Sequence, residues 1–387
     1  MNDLARIEEA DRAIHSLMSE PGRSERIARD ISAAPNGVLH GVLIGVKDIF
    51  HVRGLPTTAG SAIPPNELAG PEARAVWLLR RAGAVVLGKT VSTEFALSEP
   101  GPTRNPRNLA HTPGGSSSGS AAAVAAGHCD IALGSQTVGS TIRPAAFCGV
   151  VGFKPSFGRI PIDDVIPLSE SLDTIGVLAS SVSWAERATA VLCSNWNPAA
   201  VDRAPVLGIP GGPYLAQATH EALRVLDGLG AKSVPMLNDI DALNAALWRL
   251  VKFEMARNHT SLFSRFAHLY RPRTAAAIRE GQTVSDEDAT KVRASIPIVR
   301  AAIHAAMDAA GVDLLACPAA AGAAPEGLEV TGDPALQLPW SYAGLPVISI
   351  PWGVAANGLP LGLQLVARFN DDERLLEWAA QLERGSN

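Results

Sequence analysis

Three short segments carry residues that could activate a hydroxyl. Lys47 lies inside Gly41–Phe50 (GVLIGVKDIF), a nearly continuous apolar run of strand length. Alternation along an extended chain puts Lys47 on one face with Leu43 and Gly45. Asp48 falls on the other face with Ile44 and Val46, so these sequence neighbours cannot simply pair. An amine in such a run is desolvated, which lowers its pKa and makes the neutral, base-competent form accessible. The plainer alternative is a buried stem whose ammonium reaches a partner or water. The second segment, Pro113–Val124 (PGGSSSGSAAAV), offers Ser116, Ser117 and Ser118. It reads either as a source of reactive hydroxyls or as a Gly/Ser loop leading into a helix with a serine cap. The third, Gly134–Gly149 (GSQTVGSTIRPAAFCG), is entered by a strand and has glycines around Ser140. Such a turn can present consecutive backbone N–H groups, as an oxyanion hole requires, or can be an ordinary strand-to-helix loop.

The elements that must position these segments alternate in type. The spacing predicts a helix over 3–18, a strand over 41–50, a helix over 71–82 and a strand over 84–87. A small-residue helix over 116–126 and a strand over 131–133 follow. Further on, 217–229 reads as helical and 233–237 as extended, with strands over 314–316, 347–350 and 361–366. The Pro/Gly-rich stretches near 100–115 and 205–213 read as surface loops. Strands alternating with helices predict an α/β fold, one large domain, 1–387, around a large sheet.

Composition narrows the function classes. In 387 residues, 47% are hydrophobic and 18% charged, which provides for a large core and excludes wholesale disorder. The net charge of −5, with no long basic run, argues against nucleic-acid or anionic-membrane partners. No stretch reaches the ~18 uninterrupted apolar residues of a membrane span, and the charged first twenty residues lack a signal-peptide core. The expectation is a cytoplasmic protein in which Cys129, Cys148, Cys193 and Cys317 are reduced and structural. No histidine spacing indicates a metal, and His40 is expected to be a hydrogen-bonded loop residue.

Two motif matches fail on their context. Gly83–Thr90 (GAVVLGKT) fits the P-loop pattern, but its Ala-Val-Val-Leu interior belongs in a strand, not in an open phosphate cradle. Gly115–Gly119 (GSSSG) fits the nucleophile elbow, yet a polar, proline-containing loop precedes it where an elbow needs a strand. Ser117, Asp173 and His259 would complete a triad in the right chain order, a coincidence that any long chain offers.

Taken together, the segments resemble the amidase signature family of serine hydrolases. The resemblance covers most of the chain: Gly41–Asp48, Ala82–Thr90 with Glu94 and Phe95, Asn105–Pro106, Gly114–Gly127, Gly134–Pro155, Leu172–Thr174, Ala343–Pro346 and Gly358–Gln364. It implies that the sheet is a mixed β-sheet flanked by helices on both faces. It also implies Ser140 as nucleophile, Ser116 as a bridging serine after a cis peptide bond, and Lys47 as the terminal base. The amides of Thr137, Val138, Gly139 and Ser140 would form the oxyanion hole. Many family members have aspartate where Gln136 stands, glycine where Val138 stands, and arginine one position before Arg143. The arrangement of Gln136, Ser140 and Ile142-Arg143-Pro144 is similar to malonamidase-type members, which implies Arg143 and Gln136 as substrate-binding residues. Arg143 either grips a substrate carboxylate or pairs with a buried acid.

The expected activity is therefore hydrolysis of a small carboxylic amide, malonamate for instance, to acid and ammonia, with no cofactor and no metal. The same chemistry serves esters, carbamates or acylureas. Other readings are the glutaminase subunit of a tRNA amidotransferase and a catalytically silent binding module, the latter opposed by the intact Lys47, Ser116 and Ser140. A homodimer is implied by resemblance alone. The part from Ser194 to Ala310 matches weakly, and Trp248, Phe253, Trp340 and Trp352 are candidates to line a pocket or to fill the core.

Overall fold

The apolar run that holds Lys47 extends only over β1 (Leu43–Lys47), in a computed structural model that describes residues 2–385. The other strands are β2 (Val85–Thr90), β3 (Ile131–Gln136), β4 (Val151–Lys154), β5 (Thr174–Ala179) and β6 (Leu207–Pro210). They continue with β7 (Lys232–Val234), β8 (Leu314–Pro318), β9 (Val347–Val354) and β10 (Pro360–Val366). Among the described residues they form one sheet in the order β2-β1-β3-β5-β4-β9-β10-β8-β6-β7. Pairing is parallel at both ends of that order and antiparallel from β3 through β8, so the sheet is mixed.

Helices cover both faces, as the period-2 alternation of the central strands demands. On β3 and β5, Leu133 and Val177 join a core with Ala185 of helix Val182–Leu192 and Trp378 of helix Asp372–Gly385. Their neighbours Ala132 and Leu178 pack instead with Ala121 of helix Ser118–Ala125 and Ala145 of helix Ile142–Cys148. The small residues of Ser118–Ala125 let that helix lie close over the strands that bear the site.

Several predicted boundaries shift for local reasons. The first helix is Asn2–Ile14, not 3–18. Asp11 accepts hydrogen bonds from the N–H groups of Ser16 and Leu17, and His15 adopts φ 56°. The third helix begins at Arg74 because Ala73 N–H donates to the His51 carbonyl. The expected helix over 217–229 is broken into His220–Leu223 and a 3-10 turn, Arg224–Leu226, and Gly228 and Gly230 follow at positive φ. Extension past Val234 stops at Pro235, which has no N–H to donate to a neighbouring strand.

Candidate active site

β1 delivers Lys47 to its C-terminal end, where the side chain is fully buried. Its Nζ donates to Ser116 Oγ at 2.6 Å and to Ser135 Oγ at 2.8 Å. Burial pulls the amine down to about 7, with the Asp173 carboxylate opposing that fall. The neutral amine is thus accessible near neutral pH. Ser116 follows the one cis peptide bond among the described residues, Gly115–Ser116. It and Ser117 stay outside helix Ser118–Ala125, because the Ser116 carbonyl accepts from Thr93 N–H and Ser117 N–H donates to the Ser140 carbonyl. The last of these bonds, 3.3 Å long, ties the two serine segments together.

β3 ends at Gln136, and the chain turns through Thr137–Ser140 before helix Ile142–Cys148. Among the described residues, none of the N–H groups of Thr137, Val138, Gly139 and Ser140 donates to another protein group. These four residues line a chamber of about 130 Å³ with Arg143, Leu97 and Trp248. A Cβ on Gly139 would fall 2.7 Å from Gln337 Oε1 and 2.9 Å from Arg143 Nη1, so a side chain there would have to displace the ends of those two groups. The Ser140 hydroxyl has no protein partner among the described residues, and Ser140 lines the chamber whereas Lys47 and Ser116 do not.

Asp173 lies behind the turn. Thr137 Oγ1 donates to its Oδ1 at 2.5 Å, and the N–H groups of Leu168 and Ser169 donate to Oδ2. Burial raises its carboxyl to about 6, against the pull of those donors and of Lys47. Gln136 is not on the chamber. Its Oε1 accepts from the N–H groups of Thr141 and Ile142, and its Nε2 donates to Ser341 Oγ, so both ends of the amide are engaged in shaping the turn. Gln136, expected to bind substrate, thus has both ends of its amide bonded to protein groups.

Arg143 is buried and lines the chamber. It makes no ion pair among the described residues. Its Nε donates to the Thr331 carbonyl and its Nη2 to the Gly115 carbonyl, each at 2.7 Å, while Nη1 has no partner. Burial lowers its pKa to about 10, with Asp333 opposing. The expected alternative of pairing with a buried acid is therefore replaced by a grip on two backbone carbonyls with one nitrogen left over.

The discarded motifs do not assemble. Gly83–Thr90 largely becomes β2, and Lys89 pairs with Asp48. Ser117 is buried, with its hydroxyl on the Ser135 backbone, and His259 bonds Tyr270 rather than Asp173. The four cysteines are free and buried, with their thiol pKa values pushed up by burial. His40 bonds the Pro35 carbonyl from a surface loop. Among the described residues no cluster of acidic, His and Cys side chains could hold a metal ion, and no helix is long and apolar enough to cross a membrane. Trp340 is core, and Trp352 lines a separate surface depression. Sequence reasoning missed Ser135 and Thr331: Ser135 carries only the signal of strand alternation, and Thr331 carries none.

Known proteins resemble this chain over nearly its whole length. The model of the Amidase family matches residues 3–207 and 200–376. The chain is 32% identical to a glutamyl-tRNA(Gln) amidotransferase subunit from Synechococcus sp. (strain WH7803), covering 99% of this chain and 92% of that one. Its counterpart from Anaeromyxobacter sp. (strain K) is 33% identical, with 98% and 91% covered. A crystal structure described as that of an amidase superposes with a TM-score of 0.89 at 31% identity, over 100% of this chain and 95% of that chain. Native peptide amidase from Stenotrophomonas maltophilia gives 0.82 at 26% identity, over 99% and 92%.

Proposed function

The chain belongs to the amidase family of amide-bond hydrolases, and on that premise we propose that it cleaves a small carboxylic amide to acid and ammonia through a Ser140 acyl-enzyme. The observation that carries this reading is the buried contact of 2.6 Å between Lys47 Nζ and Ser116 Oγ, beside a chamber onto which Ser140 opens. A serine hydroxyl needs a base to become a useful nucleophile. Neutral Lys47 takes the Ser116 proton as Ser116 takes that of Ser140, and Ser140 Oγ bonds to the carbonyl carbon. The relay then returns the proton to the nitrogen as the C–N bond breaks and ammonia leaves. Water, deprotonated along the same route, splits the ester and frees the acid.

The unpartnered N–H groups of Thr137–Ser140 supply the oxyanion hole, each donor contributing ~2.7–4 kcal/mol to the transition state. Asp173 holds the turn through Thr137 and, when ionised, favours the Lys47 ammonium formed in each half-reaction. Arg143 Nη1, buried and unpaired, receives a carboxylate on the substrate, which makes malonamate the favoured example. The test is ammonia release from malonamate, acetamide and glutamine beside a Ser140→Ala control. Turnover of malonamate lost in the control is expected; equal turnover in the control would remove Ser140 from the reaction. The relatives favour a second reading, glutamine hydrolysis within a tRNA amidotransferase. It predicts glutamine as the preferred substrate and co-purification with a tRNA-binding partner.

A further inference from the structure

The chamber beside Ser140 is small. Its volume of about 130 Å³ falls below the ~300–1,000 Å³ of sites for drug-sized ligands. It is also below the ~150 Å³ of a cavity known to take up benzene. Benzamide, which is that ring with a carboxamide added, exceeds it. One part of the wall is fixed by the chemistry already described: the Thr137–Ser140 backbone, and Arg143 tethered to the Gly115 and Thr331 carbonyls. The bulkiest side chain on the rest is Trp248, which comes from helix Ile240–Asn258, far from the catalytic segments in the chain.

Trp248 is only half-buried, and its indole N–H donates to no protein group among the described residues. The helix beneath it is anchored independently. Glu254 accepts from Ser169 Oγ and Ser171 Oγ at 2.5 Å each, and pairs with Arg293 at 2.7 Å. That same loop carries Leu168, another part of the wall. The indole is therefore one wall of the chamber, and it also packs against the main core, while Glu254 gives the helix a separate anchor.

We propose that Trp248 sets the size limit of the substrate, so that the enzyme takes amides with small aliphatic acyl groups and excludes arylamides. The proposal rests on the assignment of Ser140 as nucleophile. Removal of the indole opens the chamber by more than the volume of a benzene ring and admits the excluded class.

The experiment measures covalent labelling of the full chain by methanesulfonyl fluoride and by phenylmethanesulfonyl fluoride, followed by intact mass and peptide mapping. In each case the Ser140 Oγ–S bond forms, the S–F bond breaks, fluoride leaves and the serine proton passes to the relay. Wild type is expected to react with the methyl probe about 100-fold faster than with the benzyl probe, beyond their intrinsic reactivity with free serine derivatives. Trp248→Ala should raise the benzyl rate about tenfold or more while leaving the methyl rate within about threefold, and should raise benzamide hydrolysis in parallel. Trp248→Leu, which keeps an apolar helix face, gives a smaller shift in the same direction, and thermal melting establishes that each variant is folded. Equal labelling of wild type by both probes overturns the size limit and leaves the nucleophile standing. Labelling of Ser140 by neither probe overturns the nucleophile assignment, and the size limit with it.

Discussion

Lys47 ends β1 and Lys89 lies one residue short of the end of the neighbouring β2; both lose their solvent to burial, and they meet different partners. Val46 stands opposite Lys89 in the register and Lys47 opposite Thr90, so the two amines project from opposite faces. Lys89 meets the Asp48 carboxylate at 2.8 Å and Thr57 Oγ1 at 2.9 Å, beneath the loop around Thr58 that Asp48 also holds. Lys47 meets only hydroxyls at contact distance, with Asp173 acting from further off. Burial lowers both amines, but a contacting carboxylate favours the charged form of Lys89. Desolvation alone does not make a base. An ammonium with a carboxylate against it is a structural cation; one with hydroxyls against it can let its proton go.

This contrast can be broken by mutation. Lys47→Ala should lower kcat by about 10³–10⁴-fold with the far-ultraviolet circular dichroism spectrum unchanged, as steady-state ammonia release would show. Asp48→Ala should do the reverse. An unpaired buried ammonium at Lys89 destabilises the fold by ~3–5 kcal/mol in urea titrations, while kcat of the folded fraction stays within about threefold. Replacing Lys89 and Asp48 together by Met and Leu should recover most of that stability, because the pair is dispensable when both charges go. Arg143→Ala should raise KM for malonamate about tenfold or more relative to acetamide, measured by initial rates on the two amides. Equal effects on both would return Arg143 to holding the Gly115 carbonyl. The smallest effect expected is that of Ser117→Ala, within about tenfold of wild type, against a loss of at least 100-fold for Ser116→Ala. Parallel assays of the two variants compare them directly.

Legibility in the sequence followed the range of each interaction. Lys47, Ser116 and Ser140 stand in local motifs whose order resembles that of a known family, and the fold brings Lys47 to Ser116 and ties the two serine segments together. Partners fixed by register or by long loops were invisible. The Lys89–Asp48 pair requires knowing that β1 lies against β2, and nothing near Thr331 hints that its carbonyl holds Arg143. Asp173 stands in a segment of the family resemblance and in a triad that does not form, but nothing local shows that it accepts from Thr137 Oγ1 and from two backbone N–H groups. Gln136 stands out as a departure from a family pattern, but that departure does not reveal its bonds to Thr141, Ile142 and Ser341. β4, β5 and β6 escaped because short, largely buried strands carry no alternation of apolar and polar residues. Trp248 was one of four aromatic candidates, and only packing separated it from the core residue Trp340.

The proposed passage of the Ser140 proton through Ser116 to Lys47 is read out by the pH dependence of acyl-enzyme formation. Below pH 7 the Lys47 ammonium dominates, and above it the neutral amine does, because burial has brought the amine down to about 7. The burst rate with an activated ester should rise about tenfold per pH unit on the acid side, level off above pH 7, and vanish in both Lys47→Ala and Ser140→Ala. A burst that keeps the same pH profile in Lys47→Ala would contradict the relay and assign the base to another group.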